Sequence, residues 1–394
     1  MWNPFRQGGR ISFTQLQTLY VFAFFLSFHA FLPSYANSTF LETFLTPQTV
    51  GVVFAVASIL TLLVLFNLPT LLSRLGIFNT VLGLIILEAV TLIVLGTTGI
   101  IWLTIGAFVV HLFLARALFY TLDIFIESLS FDGDTGSIRG LLLTIFNASL
   151  MLSPLLVSFI IGEEELFRRM YLVSVVFLLP AVLLLLRNFR NFKDPTYEPI
   201  KALDASARVF KDKDLFNVFA SHFLLRFFYA WMVIYTPIYL IQTIGFNWTE
   251  IGPIFTVMLL PFILFEIPFG KIADKYIGEK ELLISGFVIT SIATFALAFI
   301  TTPSVVLWAS ILFLTRFGAS MVEVMSEAYF FKKISSEESE LVALFRGINP
   351  LAYIAAPVVS TIALLFMDIR YTFIILSAVV FTGIIYAVGI HDTR

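Results

Sequence analysis

Arg116, Asp123 and Glu127 recur two hundred residues later as Arg316, Glu323 and Glu327, each trio set in an otherwise apolar stretch. An acid at i+7 and a glutamate at i+11 share one helix face with the arginine, because eleven residues make almost three turns. Such a face can hold an anion, clasp a facing helix, or carry protons if burial disfavours the charged carboxylates. A charge deep in lipid costs roughly 2.5–3.5 kcal/mol even on the lenient insertion scale, so these side chains are expected to face protein or water. One trio in each half predicts a duplicated membrane bundle with a polar interior.

The roles divide by depth. Arg116 and Arg316 fall near mid-span and could hold an anionic group or neutralise the acids below them. An arginine and an acid at i+7 lie about 10 Å apart along the axis, so their partners are expected on other helices or on a bound solute. Asp123 and Glu323 could extend a clasp or act as a proton relay, whereas Glu127 and Glu327 read as the clasp itself. Arg226, one turn after His222, has no counterpart in the first half, where Leu26 stands. It reads as a solute or coupling residue or as half of a buried ion pair, with Glu266 as its partner or as a proton carrier. Glu88 sits alone in its apolar run, and His29 and His111 read as buried, hydrogen-bonded histidines.

Composition fixes the solvent. The 394 residues are 59% hydrophobic and 13% charged, with mean hydropathy +0.97, against about 45–50% apolar and about 25% charged in soluble proteins. A net charge of −2 argues against a nucleic-acid partner. There is no cysteine, no phosphate-binding Gly-rich loop, no His-Glu-x-x-His, and the four histidines are scattered. The sequence therefore predicts no enzyme, no metal and no cofactor. Nothing resembles a filter loop or a ring of like charges, which argues against a channel.

Apolar runs long enough to span fall near 15–35, 48–72, 77–97, 101–129, 140–162, 170–188, 215–243, 251–273, 282–301, 304–331, 341–366 and 371–390. The first run lacks a small-residue cleavage site and is expected to be retained. With both termini cytoplasmic, eighteen of the 24 Lys and Arg lie inside. Arg168, Arg169 and Arg370 then lie outside, and Arg116, Arg226 and Arg316 within spans. Trp102, Trp248 and Trp308 are then expected at outer interfaces. The expectation is an all-α membrane protein of twelve transmembrane helices in two pseudo-symmetric bundles. Residues 1–190 and 214–394 form the six-helix bundles, and 191–213 a cytoplasmic linker with a short surface helix. Gly51-Val-Val-Phe54 and Gly252-Pro-Ile-Phe255 open equivalent spans, and Arg74-Leu-Gly76 and Lys275-Tyr-Ile-Gly278 close them.

The stretch Gly270-Lys-Ile-Ala-Asp274-Lys275-Tyr-Ile-Gly278-Glu-Lys280 resembles the signature loop of the major facilitator superfamily, with one extra residue before its second glycine. In the first-half copy Pro69 stands where glycine is expected and Ser73 where aspartate is expected. The resemblance implies a cytoplasmic gate made of Arg74, Glu127, Gly270, Asp274, Lys275, Gly278 and Glu327. In it Gly270 allows close approach of helices, Lys275 or Lys280 pairs with Glu327, and Arg74 pairs with Glu127. It further implies a secondary transporter working by alternating access, with Arg116, Asp123, Arg226, Glu266, Arg316 and Glu323 along the solute and proton pathway. Its partners would be a small-molecule solute, protons and the lipid bilayer, and its place, as a monomer, the plasma or inner membrane of a cell. The alternative is a transport-inactive sensor or scaffold that keeps the fold.

Overall fold

In lipid a backbone must satisfy its own hydrogen bonds, and apolar runs of this length do so as helices. The computed structural model describes residues 13–129, 135–197, 202–334 and 338–391, nearly all of them helical. Arg6, Arg10, Glu198 and Lys201 lie outside the described residues.

Helices α1 (Phe13–Phe31), α2 (Asn37–Glu42), α3 (Pro47–Thr97), α4 (Ile101–Leu129), α5 (Thr135–Ile161) and α6 (Arg168–Asn188) fill the first half. The expected short linker helix is α7 (Ala202–Lys211). The second half contains α8 (Lys213–Tyr239), α9 (Trp248–Leu264), α10 (Glu266–Ile272), α11 (Glu279–Leu297), α12 (Val305–Lys333), α13 (Ser339–Ala363), α14 (Ile369–Phe381) and α15 (Gly383–Val388). Among the described residues ten helices are long and apolar enough to cross a membrane, and Leu16–Phe31 is a shorter apolar helix. The 51 residues of α3 would reach about 75 Å at 1.5 Å per residue, twice what a bilayer core needs. The helix breaks at Gly76 (φ 75°, ψ 159°), a conformation open to glycine.

Gly278 takes nearly the same conformation (φ 100°, ψ 168°) at the start of α11, so the duplicated glycines do the same job. The extra residue before Gly278 is absorbed by a π turn, Ala273–Ile277, whose wider ring accommodates one more residue. The aspartate missing at Ser73 is replaced from the linker. Asp194 Oδ1 accepts from Ile77 N at 2.6 Å, at the start of the helix beyond Gly76. Tyr197 donates its hydroxyl to the same oxygen, and burial together with this carboxylate pushes its phenol well above the usual range. Asp194→Ala is expected to cost about 1 kcal/mol, the usual worth of such a cap, seen as a lower melting temperature of the purified protein. An unchanged melting temperature would show that the cap contributes nothing.

The tryptophans correct one expectation. Trp102 is exposed, but Trp248 and Trp308 are fully buried, where Trp248 meets Phe167 and Phe255 and Trp308 packs on Tyr239 while donating to Thr302 O. Protein neighbours replace the membrane interface as their surroundings.

In the first half α3 packs along α4 and α6, and α1 along α5 and α6; in the second, α12 packs on α8, α9 and α11, and α14 on α8 and α11. The two sets meet where α3 lies on α13 and α5 on α9. At the end away from the linker, here the loop end, this contact is tight. A Cβ on Gly51 would strike the Tyr235 and Thr361 side chains, and one on Gly252 would strike Ser158 and stand 2.7 Å from Pro154 O. Gln48 Nε2 donates to Leu364 O at 3.1 Å, Thr361 Oγ1 donates to Gln48 O at 3.3 Å, and Gln242 donates to Glu42. The repeated glycines thus let the halves close at the loop end.

Candidate functional site

His222, Arg226 and Tyr229 are spaced i, i+4, i+7 on α8 and so share the face turned toward α12. Arg226 Nη2 lies 2.9 Å from Glu323 Oε1 and 3.4 Å from Glu327 Oε1, both on α12. Its Nε donates to His222 Nε2 at 3.1 Å, which assigns the histidine hydrogen to Nδ1, 3.4 Å from Ser326 Oγ. Tyr229 donates to the other oxygen of Glu323 at 2.9 Å. Glu323 is therefore bound on both oxygens, and Arg226 is shared between two acids.

Arg316 differs. It is 1% exposed and lies over the rings of Phe228 and Tyr229, 4.9 and 5.3 Å from their centroids. Its Nη1 has no hydrogen-bond partner among the described residues. Arg116 sits at mid-length of α4, exposed to solvent, with its guanidinium 5.6 Å from the Tyr353 ring of α13. Together with Ser58, Thr61, Asn349 and Tyr353 it lines a cavity of about 50 Å³ between α3, α4 and α13. That is room for one or two waters. Arg116 and Arg316 thus each lie against aromatic rings, and Arg226 against the acids of α12.

Toward the linker end two polar contacts among the described residues bridge the halves. Asp123 Oδ2 meets Arg346 Nη1 of α13 at 2.9 Å, and Asn147 of α5 donates to Glu266 Oε2 of α10 at 3.2 Å. Glu266 thus hydrogen-bonds Asn147 and, among the described residues, forms no direct ion pair with Arg226, whose partners are Glu323 and Glu327. It heads α10 just after the break at Phe265, which turns it toward the first half.

The expected gate is assembled differently. Glu327 faces α8 and pairs with Arg226, leaving Lys275 exposed on the π turn. Asp274 pairs instead with Lys332 at 2.8 Å, and the same ammonium meets the buried Glu279 at 2.6 Å. A Cβ on Gly270 would meet no atom within 4 Å, so no helix crosses closely there. Arg74 and Glu127 are exposed and, among the described residues, form no ion pair with each other. Sequence reasoning passed over Arg346, Asn147, Tyr353 and Asp194. Arg346 offered a signal, a charge four residues before Pro350 in an apolar run, but its facing helix could not be read.

Residues 218–393 match the family model described as Major Facilitator Superfamily. Many solved structures share the fold. One, titled "Crystal structure of auto inhibited POT family peptide transporter", superposes with a TM-score of 0.74 over 97% of this chain and 98% of that one. Identity is 10%, so the likeness is one of fold. No curated protein matches the sequence. The second half of the chain thus matches the model of the major facilitator superfamily, and the whole chain has the fold of that solved transporter. Its ten long apolar helices among the described residues make it a multi-pass membrane protein.

Proposed function

We propose that the protein carries a small anionic or zwitterionic solute across the membrane by alternating access, coupled to protons. The observation that carries this reading is Arg316, a buried guanidinium stacked on aromatic rings whose Nη1 has no hydrogen-bond partner among the described residues. A buried unpaired charge is expensive, and a solute carboxylate or phosphate would satisfy it. Arg116, which lines the small cavity between α3, α4 and α13, supplies a second cation from the other half. Glu266, Glu323 and Glu327 act on one another around the single Arg226, so an anion arriving at the arginines shifts a balance that a proton can restore.

In this reading α3 counts as two spans parted at Gly76 and α1 as one, which gives twelve. Residues 1–190 and 214–394 are the six-helix bundles and 191–213 the linker. The Lys and Arg bias makes the linker end and both termini cytoplasmic. The loop end is then the outer gate, closed over Gly51 and Gly252. The inner bridges Asp123–Arg346 and Asn147–Glu266 involve partly exposed groups, and exposed pairs are worth about 0–1 kcal/mol, weak enough to open repeatedly. At the outer gate burial raises the Glu42 carboxyl, with Gln242 pulling it down and Glu165 adding to the rise. A carboxyl that binds its proton better in the closed state favours closure as pH falls, so acid outside is expected to help shut this gate. The plasma or inner membrane is the proposed site and the monomer the proposed unit.

The test is a thermal-shift screen of the purified protein against organic anions, amino acids, short peptides and sugars, followed by flux into vesicles. Stabilisation by carboxylate-bearing solutes and flux that follows an imposed pH gradient are expected. Stabilisation by neutral sugars alone would overturn the solute class, and flux indifferent to the gradient would remove the proton.

A further inference from the structure

The first half holds a second charged cluster that the chamber does not use. Glu88 of α3, fully buried, lies with Oε1 2.6 Å from His111 Nδ1 of α4 and 3.5 Å from His29 Nε2 in the last turn of α1. Both histidines are buried as well. Among the described residues the other titratable group facing the cluster is Tyr171 of α6, edge-on to His111 with centroids 6.2 Å apart. Its hydroxyl donates to Asn37 Oδ1 at 2.8 Å, and its charged neighbour, Arg168, is turned to Thr98 O.

The hydrogen-bond inventory leaves one position to fill. His29 Nδ1 faces the Leu26 carbonyl oxygen, which can only accept, so Nδ1 carries a hydrogen. In a neutral ring Nε2 is then a bare lone pair aimed at a carboxylate oxygen. Neither His29 Nε2 nor Glu88 Oε2 has any other hydrogen-bond partner among the described residues. With both imidazoles neutral, Glu88 would also leave an uncompensated negative charge in a dry interior, which proteins avoid. A single proton removes both difficulties, turning His29 into the cation that balances Glu88.

We propose that Glu88, His29 and His111 form a proton-binding site inside the first half, holding one proton between His29 Nε2 and the Glu88 carboxylate, apart from the Arg226–Glu323 chamber. The bound proton ties the end of α1 to α3, while His111 secures α4 to the same oxygen. Without that proton two acceptors would face each other.

The chain has four histidines, so ¹⁵N labelling of histidine alone in the full-length protein gives a spectrum that can be assigned with His29→Asn and His111→Asn. At neutral pH His29 is expected to carry hydrogens on both ring nitrogens, and Glu88→Gln is expected to strip the one on Nε2. A wild-type His29 with a bare Nε2 at neutral and mildly acidic pH would overturn the site, and that spectrum needs no variant to fold. A folded Glu88→Gln protein that keeps both hydrogens would overturn it equally. Neither readout depends on solute or flux, so it stands or falls separately from the proposed transport.

Discussion

Arg226→Ala is expected to abolish transport and to destabilise the protein by about 3 kcal/mol, the lower end of the range for removing one partner of a buried ion pair. The lower end applies because Glu323 and Glu327 are 19% and 38% exposed and water screens part of the loss. Two carboxylates lose the guanidinium between them, and His222 loses the donor on its Nε2. The deficit relative to wild type should shrink as pH falls, because protonation neutralises the orphaned acids, and grow as pH rises. Arg226→Lys should restore most of the stability and little of the flux, since one ammonium cannot reproduce the fork that spans Glu323, Glu327 and His222. Melting curves across pH and vesicle uptake check this together. A stable, active Arg226→Ala protein would remove Arg226 from both the ion-pair network and the mechanism.

Arg316→Met is expected to give the opposite combination. Among the described residues its buried guanidinium has no carboxylate partner, and exchanging buried charge for an apolar chain of similar volume is often neutral or stabilising by about 1–4 kcal/mol. The melting temperature should hold or rise. Solute affinity should fall by roughly tenfold to a hundredfold, the worth of hydrogen bonds to a charged group at about 1.5–3 kcal/mol. A variant both less stable and unchanged in solute binding would mean that Arg316 is a packing residue. The contrast between the two arginines separates a residue that holds the structure from one that waits for a ligand.

What the sequence made legible follows from period and cost. Long apolar runs must be helices in lipid, and a charge inside them is expected to turn inward; Arg226 and Arg316 do so, whereas Arg116 and Glu127 are exposed. The repeat also showed that Gly51 and Gly252 are equivalent and that Gly76 and Gly278 end equivalent spans. Partner choice was not legible. Glu327 could meet Lys275 or Arg226 depending on the rotation of α12, and a few tens of degrees decide it. Glu88 seemed solitary because His29 and His111 lie 59 and 23 positions away on other helices. The replacement of the missing loop aspartate by Asp194 joins residues 117 positions apart, a distance at which sequence spacing carries no geometric information. Pseudo-symmetry itself misled in one respect. Arg116 and Arg316 are equivalent by spacing, yet one is exposed beside Tyr353 and the other buried on Phe228 and Tyr229.

The central proposal, that the two halves alternate access by rocking against each other, can be tested before any solute is identified. The chain lacks cysteine, so paired spin labels can be introduced without background: Ile100→Cys with Phe366→Cys at the loop end, and Ser73→Cys with Tyr276→Cys at the linker end, all at exposed positions. Gly252→Val adds a branched side chain against Ser158 and Pro154 O, where closure allows no Cβ, and should therefore favour the state open at the loop end. Relative to wild type, the loop-end distance is expected to lengthen and the linker-end distance to shorten. Two distances that stay fixed, or that change in the same sense, would contradict alternating access in this protein.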